Sequence, residues 1–403
     1  VRVPMAVARA GSKALIREIN AALVLGELRT TPLQSRTDLA KRTGLSLPTI
    51  SEIVAELLAS GVVEERATGR SGGGRRPVLL ALRPDAGYAV GVKLTETRVV
   101  AVLTDLDATI VARDVTTVAD TSVDTVVAAV RDAVGRLRDA AGGRPVHGAG
   151  VGLAGVVDRT SGVVRHATYA DWHDVDLAGL LSAATGLPVV VDNDVNTLVA
   201  NEKWFGAARG VDDVAVVSIG RGVGLGLVLD GRLYRGAGGG AGEFGHTKVA
   251  EGPECACGGR GCLEALVGEP ALRAQCAAVL DREVALDDAA DLARAGNAAL
   301  ATIFTTAGRL LGTAVGNLVN LLNPALVVLA GEGTRHSDLF RPEFDRALSL
   351  AVFAGLRHDL ETIVDTWDDE AWAQGAAGLF LGELFQPNLR RDEAGRPSLV
   401  TRG

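Results

Sequence analysis

The chain has 403 residues, 47% of them hydrophobic, and a formal net charge of −8; that length points to two or three domains with sizeable cores. No apolar run of about 18 or more residues is expected, so no membrane-spanning segment is expected either. The four cysteines are too few for a disulfide framework and no basic-then-apolar leader opens the sequence, so a cytoplasmic, reducing setting is expected.

The charge is uneven. Residues 1–83 carry 13 Lys and Arg against 7 Asp and Glu, while the rest carries 28 against 42. A basic head on an acidic body suggests a polyanion as the head's partner. In the head, residues 12–29 read as a helix with Ile16, Ile19 and Leu23 on one face. Ser35-Arg36-Thr37-Asp38 is a capping-box-like helix start. Gly44 makes a turn, and Ser46 caps a further helix over 47–60, with Pro48 in its first turn. Ile50, Val54, Leu57 and Leu58 form its inward stripe; Leu47, Thr49, Ser51 and Glu52 face outward near its start. Two short helices around a glycine turn are a helix-turn-helix, whose second helix enters the major groove. Strands at 62–63 and 77–82 flank a basic glycine-rich loop, 66–76, which makes the unit a winged helix-turn-helix with Arg70, Arg75 and Arg76 on the wing. Plain helix packing or a flexible Arg/Gly linker would each explain half of this; the order and the local charge favour operator DNA. Leu47 cannot hydrogen-bond a base and Glu52 opposes phosphate, so the wing arginines are expected to carry more of the affinity.

Residues 88–104 alternate as strand, turn and strand. A helix follows at about 123–140, then a buried glycine-bearing strand over 147–157, a helix over 177–185 and a strand over 188–191 that ends in Asp192-Asn193-Asp194-Val195-Asn196. A second cycle starts with a strand over 214–219 and the turn Gly220-Arg221-Gly222-Val223-Gly224. Residues 270–322 are mostly helical, 324–330 form a buried strand ending in Gly331-Glu332-Gly333, and 367–385 form a helix that closes the fold. Two α/β lobes that each open with strand, turn and strand suggest an internal duplication, with a ligand in the cleft between them.

Between the second cycle and the helical region lies the most specific stretch. His246, Cys255, Cys257 and Cys262 follow the pattern H-x8-C-x-C-x4-C, and three of the four cysteines fall within eight residues. Three thiolates and one imidazole are a four-ligand tetrahedral set of the kind that holds structural zinc, with no position left for an activated water. Gly258, Gly259 and Gly261 suit a tight metal-wrapping loop. The alternative is three buried free cysteines in a glycine-rich loop; the spacing favours metal. Glu243 and Glu264 bracket the loop, placed to hydrogen-bond something polyhydroxylated. Cys276 reads as a small core residue.

Together these segments resemble the ROK family (repressors, open reading frames and kinases), built on the sugar-kinase/actin-like ATPase fold. The resemblance rests on Ala241-Gly242-Glu243-Phe244-Gly245-His246, the 255–264 loop, Asp192 to Asn196 and the wing run SGGGRRPVLLAL, and it covers nearly the whole chain. The head makes the chain similar to the family's sugar-responsive regulators of the NagC, Mlc and XylR type. The resemblance implies an α/β fold in three parts: a winged helix-turn-helix over 1–83, a first lobe over 84–196, and a second lobe over 197–403 whose last helix packs back on the first. It implies that Asn193, Asp194, Glu243, His246 and Glu264 bind sugar, that Asp194 stands at the kinases' catalytic-base position, that His246 also ligates zinc, and that the chain is a homodimer or larger homo-oligomer. Where the kinases have D-x-G-x-T, this chain has Lys93 and Thr95 in place of the Asp and Gly, and Arg221 replaces the phosphate-contacting Thr of the second turn. Phosphoryl transfer rests on positioning and charge stabilisation at those points, so a repressor released from its operator by a sugar is expected rather than an enzyme. An active sugar kinase with a DNA-binding head, and a DNA-binding scaffold answering to a protein, are the alternatives. Lys93 and Arg221 leave room for a phosphorylated ligand. Tyr169 stands where the family often has Asn in a run that rims the sugar, which leaves the identity of the sugar open.

Overall fold

The computed structural model describes residues 13–68, 77–204 and 206–385. In chain order the head contains α1 (Lys13–Thr30), β1 (Gln34–Ser35), α2 (Arg36–Thr43), α3 (Leu47–Ala59), β2 (Val63–Thr68) and β3 (Val78–Leu82). The first half of the body has β4 (Tyr88–Leu94), β5 (Arg98–Asp105), β6 (Ile110–Thr117), α4 (Val123–Ala140), β7 (Val146–Leu153), β8 (Val156–Asp158), β9 (Val163–Ala167), β10 (Trp172–Asp176), α5 (Leu177–Thr185) and β11 (Val189–Asn193). The second half has α6 (Asp194–Trp204), β12 (Val214–Ile219), β13 (Val223–Leu229), β14 (Arg232–Tyr234), α7 (Leu263–Val267), α8 (Glu269–Leu280), α9 (Leu286–Arg294), α10 (Ala298–Leu322), β15 (Leu326–Ala330), α11 (Ser337–Ala351), β16 (Glu361–Val364) and α12 (Asp369–Leu384). Two compact units result: one from residues up to 155, 159–192 and 373 onward, the other from 156–158 and 193–372.

In the head, the Ser35 and Asp38 side chains cap each other's backbone N–H groups, and Gly44 at φ 71 ends α2. Ser46 Oγ accepts the Thr49 N–H at the start of α3. Ile50, Ile53, Val54 and Leu57 are the buried stripe of α3; Leu58 is half-buried, so Ile53 takes the place expected of it. The expected face of α1 is corrected more sharply. Leu15, Ala21, Val24, Leu25 and Leu28 are buried while Ile16 and Leu23 are exposed. The helix is apolar on more than one side, so spacing alone fits two stripes and tertiary packing selects one. Strand β1 was not legible. It pairs with β3 at Gln34↔Leu80, giving a sheet of order β1-β3-β2. Gln34 tolerates burial because its Nε2 donates to the Glu27 and Thr31 carbonyls.

The body repeats one topology. The first unit's sheet has the order β11-β7-β4-β5-β6 and the second's β14-β13-β12-β15-β16. In each, three successive strands form an antiparallel meander, and a later strand joins parallel to the first of them. The expected single strand over 147–157 is two: Gly155 at φ 152 separates β7 from β8. In the first unit, α12 lies on the sheet where β4 and β7 carry Gly91 and Gly150. A Cβ at either glycine would run into the backbone of Ala373, Ala376 or Ala377. At the end of that contact the Arg29 guanidinium of α1 stands 5.1 Å from the Phe385 ring centroid, a cation–π contact between head and body.

In the second unit, α10 corrects the expectation that no stretch is long and apolar enough for a membrane: it has 25 residues and a mean hydropathy of 1.3 over an 18-residue window. Packing accounts for its composition. Gly308, Gly312 and Gly316 bring its backbone close to Phe340, Phe344 and Ala351 of α11, and Leu300, Phe304, Leu311 and Val315 enter the core.

Because backbone atoms, which cannot swing aside, oppose the absent Cβ, Gly150→Val should destabilise the first unit by about 1–3 kcal/mol or more. Urea unfolding measures this, and an unchanged midpoint would contradict the helix–sheet contact.

Candidate functional site

The four soft donors converge. His246, Cys255, Cys257 and Cys262 each offer a ligand atom, and all four atoms lie within 4.8 Å of one another. Cys255 Sγ is 3.5 Å from His246 Nδ1, and Cys257 Sγ is 3.7 Å from Cys262 Sγ. Metal–sulfur bonds of about 2.3 Å and a metal–nitrogen bond of about 2.0 Å meeting at tetrahedral angles would put such pairs about 3.5 and 3.8 Å apart, so the donors fit a small tetrahedral ion. The loop is shaped locally: the Cys255 N–H bonds to the Gly259 carbonyl at 2.8 Å, and the Gly258 N–H bonds to the Cys255 carbonyl at 2.9 Å. Gly258 and Gly261 take φ 85 and 71, where a side chain would be strained. Burial pushes the Cys255 thiol up and the Cys262 thiol to about 11, while the Gly259 backbone hydrogen bond lowers Cys257. A bound ion must therefore displace protons from the buried thiols.

Strand β13 organises the acidic residues around this loop. The short 3-10 turn Phe244–His246 packs on it, with Gly245 against the Val223 carbonyl and the Leu225 N–H bonded to the Gly242 carbonyl at 3.2 Å. His246 turns Nδ1 to the thiols, while its Nε2 stands 3.7 Å from Glu243 Oε2. One imidazole thus links the metal-type cluster to the carboxylate. Glu264, two residues beyond Cys262, accepts the Val223 N–H at 3.0 Å. Gly224 and Gly226 let α6 approach the strand through Val195 and Val199. Asn193 ends β11 and Asp194 opens that helix, and the Val195 N–H donates to Asn193 Oδ1 at 2.8 Å and to Asp194 Oδ1 at 2.9 Å. The Asx-type turn is present and uses the oxygen of Asn193; the chemistry of an amide leaves its nitrogen as the group suited to an acceptor.

Three carboxylates in this region had no sequence signal strong enough to assign. Glu332, flanked by Gly331 and Gly333, accepts the Arg221 N–H at 3.3 Å. With Glu264 on Val223, two backbone donors of the Gly220–Gly224 turn are held by the chain's own carboxylates. Glu202, on α6, is fully buried and accepts the Ala207 N–H at 3.0 Å. Burial first, and then repulsion from Asp365, raise its carboxyl to about 7.

On the head, Leu47 is 49% exposed at the start of α3. Thr49 Oγ1 lies 2.8 Å from Ser46 Oγ, and Ser51 Oγ donates to the Leu47 carbonyl at 2.8 Å. Arg17 of α1 pairs with Glu52 at 3.5 Å and with Glu56, offsetting the negative charge on this surface. Arg70, Arg75 and Arg76 lie outside the described residues.

Residues 89–383 match the ROK family, and residues 23–64 match a winged helix-turn-helix DNA-binding domain. The chain belongs to the ROK family. A xylose repressor of Caldicellulosiruptor bescii is 28% identical over 93% of this chain and 98% of its own length. Among solved structures, a ROK family transcriptional regulator, homolog of the E. coli MLC protein, superposes with TM-score 0.82 at 26% identity, over 91% of this chain and 98% of its own. A ROK family glucokinase from Streptomyces griseus, in complex with glucose and AMPPNP, superposes with TM-score 0.63 at 29% identity, over 73% and 99%. The kinase's share of this chain is less than the body alone, whereas the regulator's share exceeds the body and so takes in part of the head. This ROK protein is thus built as the regulators are.

Cys257 is exposed, so Cys257→Ser leaves no cavity and reads the ligand role alone. Metal analysis should find bound metal in the wild type and none in the variant, with the melting temperature lower by several degrees; a variant that keeps both contradicts the site. Glu202 gives a pH signature. Its folded-state pKa is above the ordinary 4.5, so the stability that comes from holding the proton is present below pH 4.5 and is lost as pH rises through about 7. Glu202→Gln should flatten that loss in urea midpoints taken across this range; an unchanged slope would place the proton elsewhere.

Proposed function

We propose that this chain is a DNA-binding repressor that a neutral sugar releases from its operator. The sugar contacts are Asn193, Asp194, Glu243, His246 and Glu264 of the second unit. Hydroxyl groups donate to the carboxylates, and the Asn193 amide donates to a hydroxyl or ring oxygen. The ion at His246, Cys255, Cys257 and Cys262 is zinc, in a structural role: four protein donors fill its shell. It fixes which His246 nitrogen faces the ligand and holds Glu243 and Glu264 on either side of the loop.

One observation carries the choice of regulator over kinase. The polar set suited to a sugar is present, while the Arg221 and Val223 N–H groups, placed where the kinases' phosphate turn lies, already serve Glu332 and Glu264. An anionic phosphate would meet two carboxylates instead of open donors. Lys93, in place of the metal-side Asp, is buried within β4 and supports the same reading.

The head meets DNA with Leu47, Thr49 and Ser51 at the start of α3 and with the wing arginines Arg70, Arg75 and Arg76. Each phosphate neutralised steepens the log–log salt dependence by about 0.9. Two identical chains on a palindromic operator match the geometry of helix-turn-helix regulators. Release requires the sugar to prefer the form that binds DNA poorly; a 100-fold loss of operator affinity corresponds to about 2.7 kcal/mol of coupling.

The relatedness to a xylose repressor makes D-xylose the first sugar to test. A labelled operator fragment bound by the purified protein should be released by one saturating free sugar, and Glu243→Gln should raise the sugar concentration needed by about 10–100-fold, the worth of a charged hydrogen bond. Retention unchanged by every sugar in a broad panel would sink the inducer reading. Sugar-dependent ADP formation in magnesium-ATP would favour a kinase instead.

A further inference from the structure

On the first unit, away from the cysteine loop, β9 and β10 form an antiparallel hairpin. His166 and His173 sit directly opposite each other in its register. Both are exposed. Their ring centroids are 4.9 Å apart with planes tilted by 40°, and the two Nδ1 atoms face each other at 3.4 Å. On the far side of one ring, Asp171 Oδ1 stands 3.4 Å from His173 Nε2. The neighbouring cross-strand pair, Arg165 and Asp174, closes with a 2.9 Å ion pair and holds the strands in this register.

We propose that His166 and His173 form a second metal site, a two-imidazole clip for a borderline divalent transition ion such as Ni2+, Cu2+ or Zn2+. Two metal–nitrogen bonds of about 2.0–2.1 Å meeting at a tetrahedral angle span about 3.3 Å, close to the Nδ1–Nδ1 separation. Asp171 Oδ1, 3.4 Å from His173 Nε2, stands where such ligands place a carboxylate on their other nitrogen. A carboxylate that accepts Nε2–H fixes the tautomer with the Nδ1 lone pair pointing at the ion, and it raises the basicity of the ring. The ligand type selects the ion: paired imidazoles with no thiolate suit these metals, while Ca2+ and Mg2+ demand oxygen. Exposure of both rings gives a hydrated ion direct access and leaves the remaining coordination positions to solvent. The site therefore exchanges its ion, unlike the four-donor cysteine set. An ion there ties β9 to β10 across the turn Thr168–Ala170, the segment that carries Tyr169. This inference stands on the hairpin alone and does not depend on the sugar reading.

The test is a calorimetric titration of the full chain with Ni2+, after dialysis and measurement of the zinc already bound. One further equivalent of Ni2+ should bind with no release of zinc. His166→Ala and His173→Ala should each remove it, and Asp171→Asn should weaken it about tenfold. All three side chains are exposed, so melting curves of the variants should match the wild type; Asp171→Asn keeps the test open should either histidine variant misfold. No further equivalent in the wild type, nickel uptake matched by zinc loss, or uptake retained in both histidine variants would each overturn the site and leave the pair as a hydrogen-bonded contact.

Discussion

The candidate site of the second unit is organised around four donor atoms held within 4.8 Å of one another. Three thiols and an imidazole gathered in a Gly-rich surface loop are a set that an ion would hold, and its binding would repay the ordering of that loop. Once they converge, their sequence neighbours are fixed as well. Glu243 precedes His246 by three residues, and Glu264 follows Cys262 by two. Neither glutamate needs a long structural path to be positioned; each is attached to a ligand by less than one helical turn. Strand β13 then supplies the common support. It takes Glu264 through the Val223 N–H, the His246 turn through its own carbonyls, and the Asn193–Asp194 helix through two glycines.

The same strand begins at a turn whose backbone donors are taken by side chains of the chain itself. The two sheets of the body share one strand order, and each opens with a strand, turn and strand. In the first, the turn follows the buried Lys93; in the second, the turn's N–H groups are drawn to Glu332 and Glu264. Backbone donors that converge in a turn attract anions of any kind. Here the anions are the protein's own carboxylates, Glu332 and Glu264, so the turn fixes the position of Glu264. Among the similar solved structures, a regulator covers 91% of this chain and a kinase 73%.

Much of this was legible because spacing and capping chemistry are local. The H-x8-C-x-C-x4-C pattern singled out the four donors, and the Ser35–Asp38 box, Gly44 and Ser46 delimited the helices of the head. What was lost lay in tertiary context. Helix α6 was hidden because Asn196, Thr197, Asn201 and Glu202 are buried polar residues and break the apolar stripe that announces a helix. Its burial is permitted by bonds such as Asn201 Nδ2 to the Ala371 carbonyl and Thr197 Oγ1 to the Asp194 carbonyl. The inward face of α1 was misread because its sequence carries apolar residues on both faces. Strands β9 and β10 are short and rich in charged and imidazole side chains, with no alternation to reveal them. Glu332 looked like part of a glycine turn; only the fold brings it to Arg221.

The central claim is that the metal loop positions the sugar contacts. The most direct measurement is calorimetric titration of the effector sugar, first D-xylose, into metal-loaded protein and into the same protein after chelation, with operator binding by the head checked in both. Sugar affinity should collapse on chelation while the head still binds operator DNA. An unchanged sugar dissociation constant in metal-free protein would contradict the account, because Glu243, His246 and Glu264 would then be held by something other than the four-donor cluster.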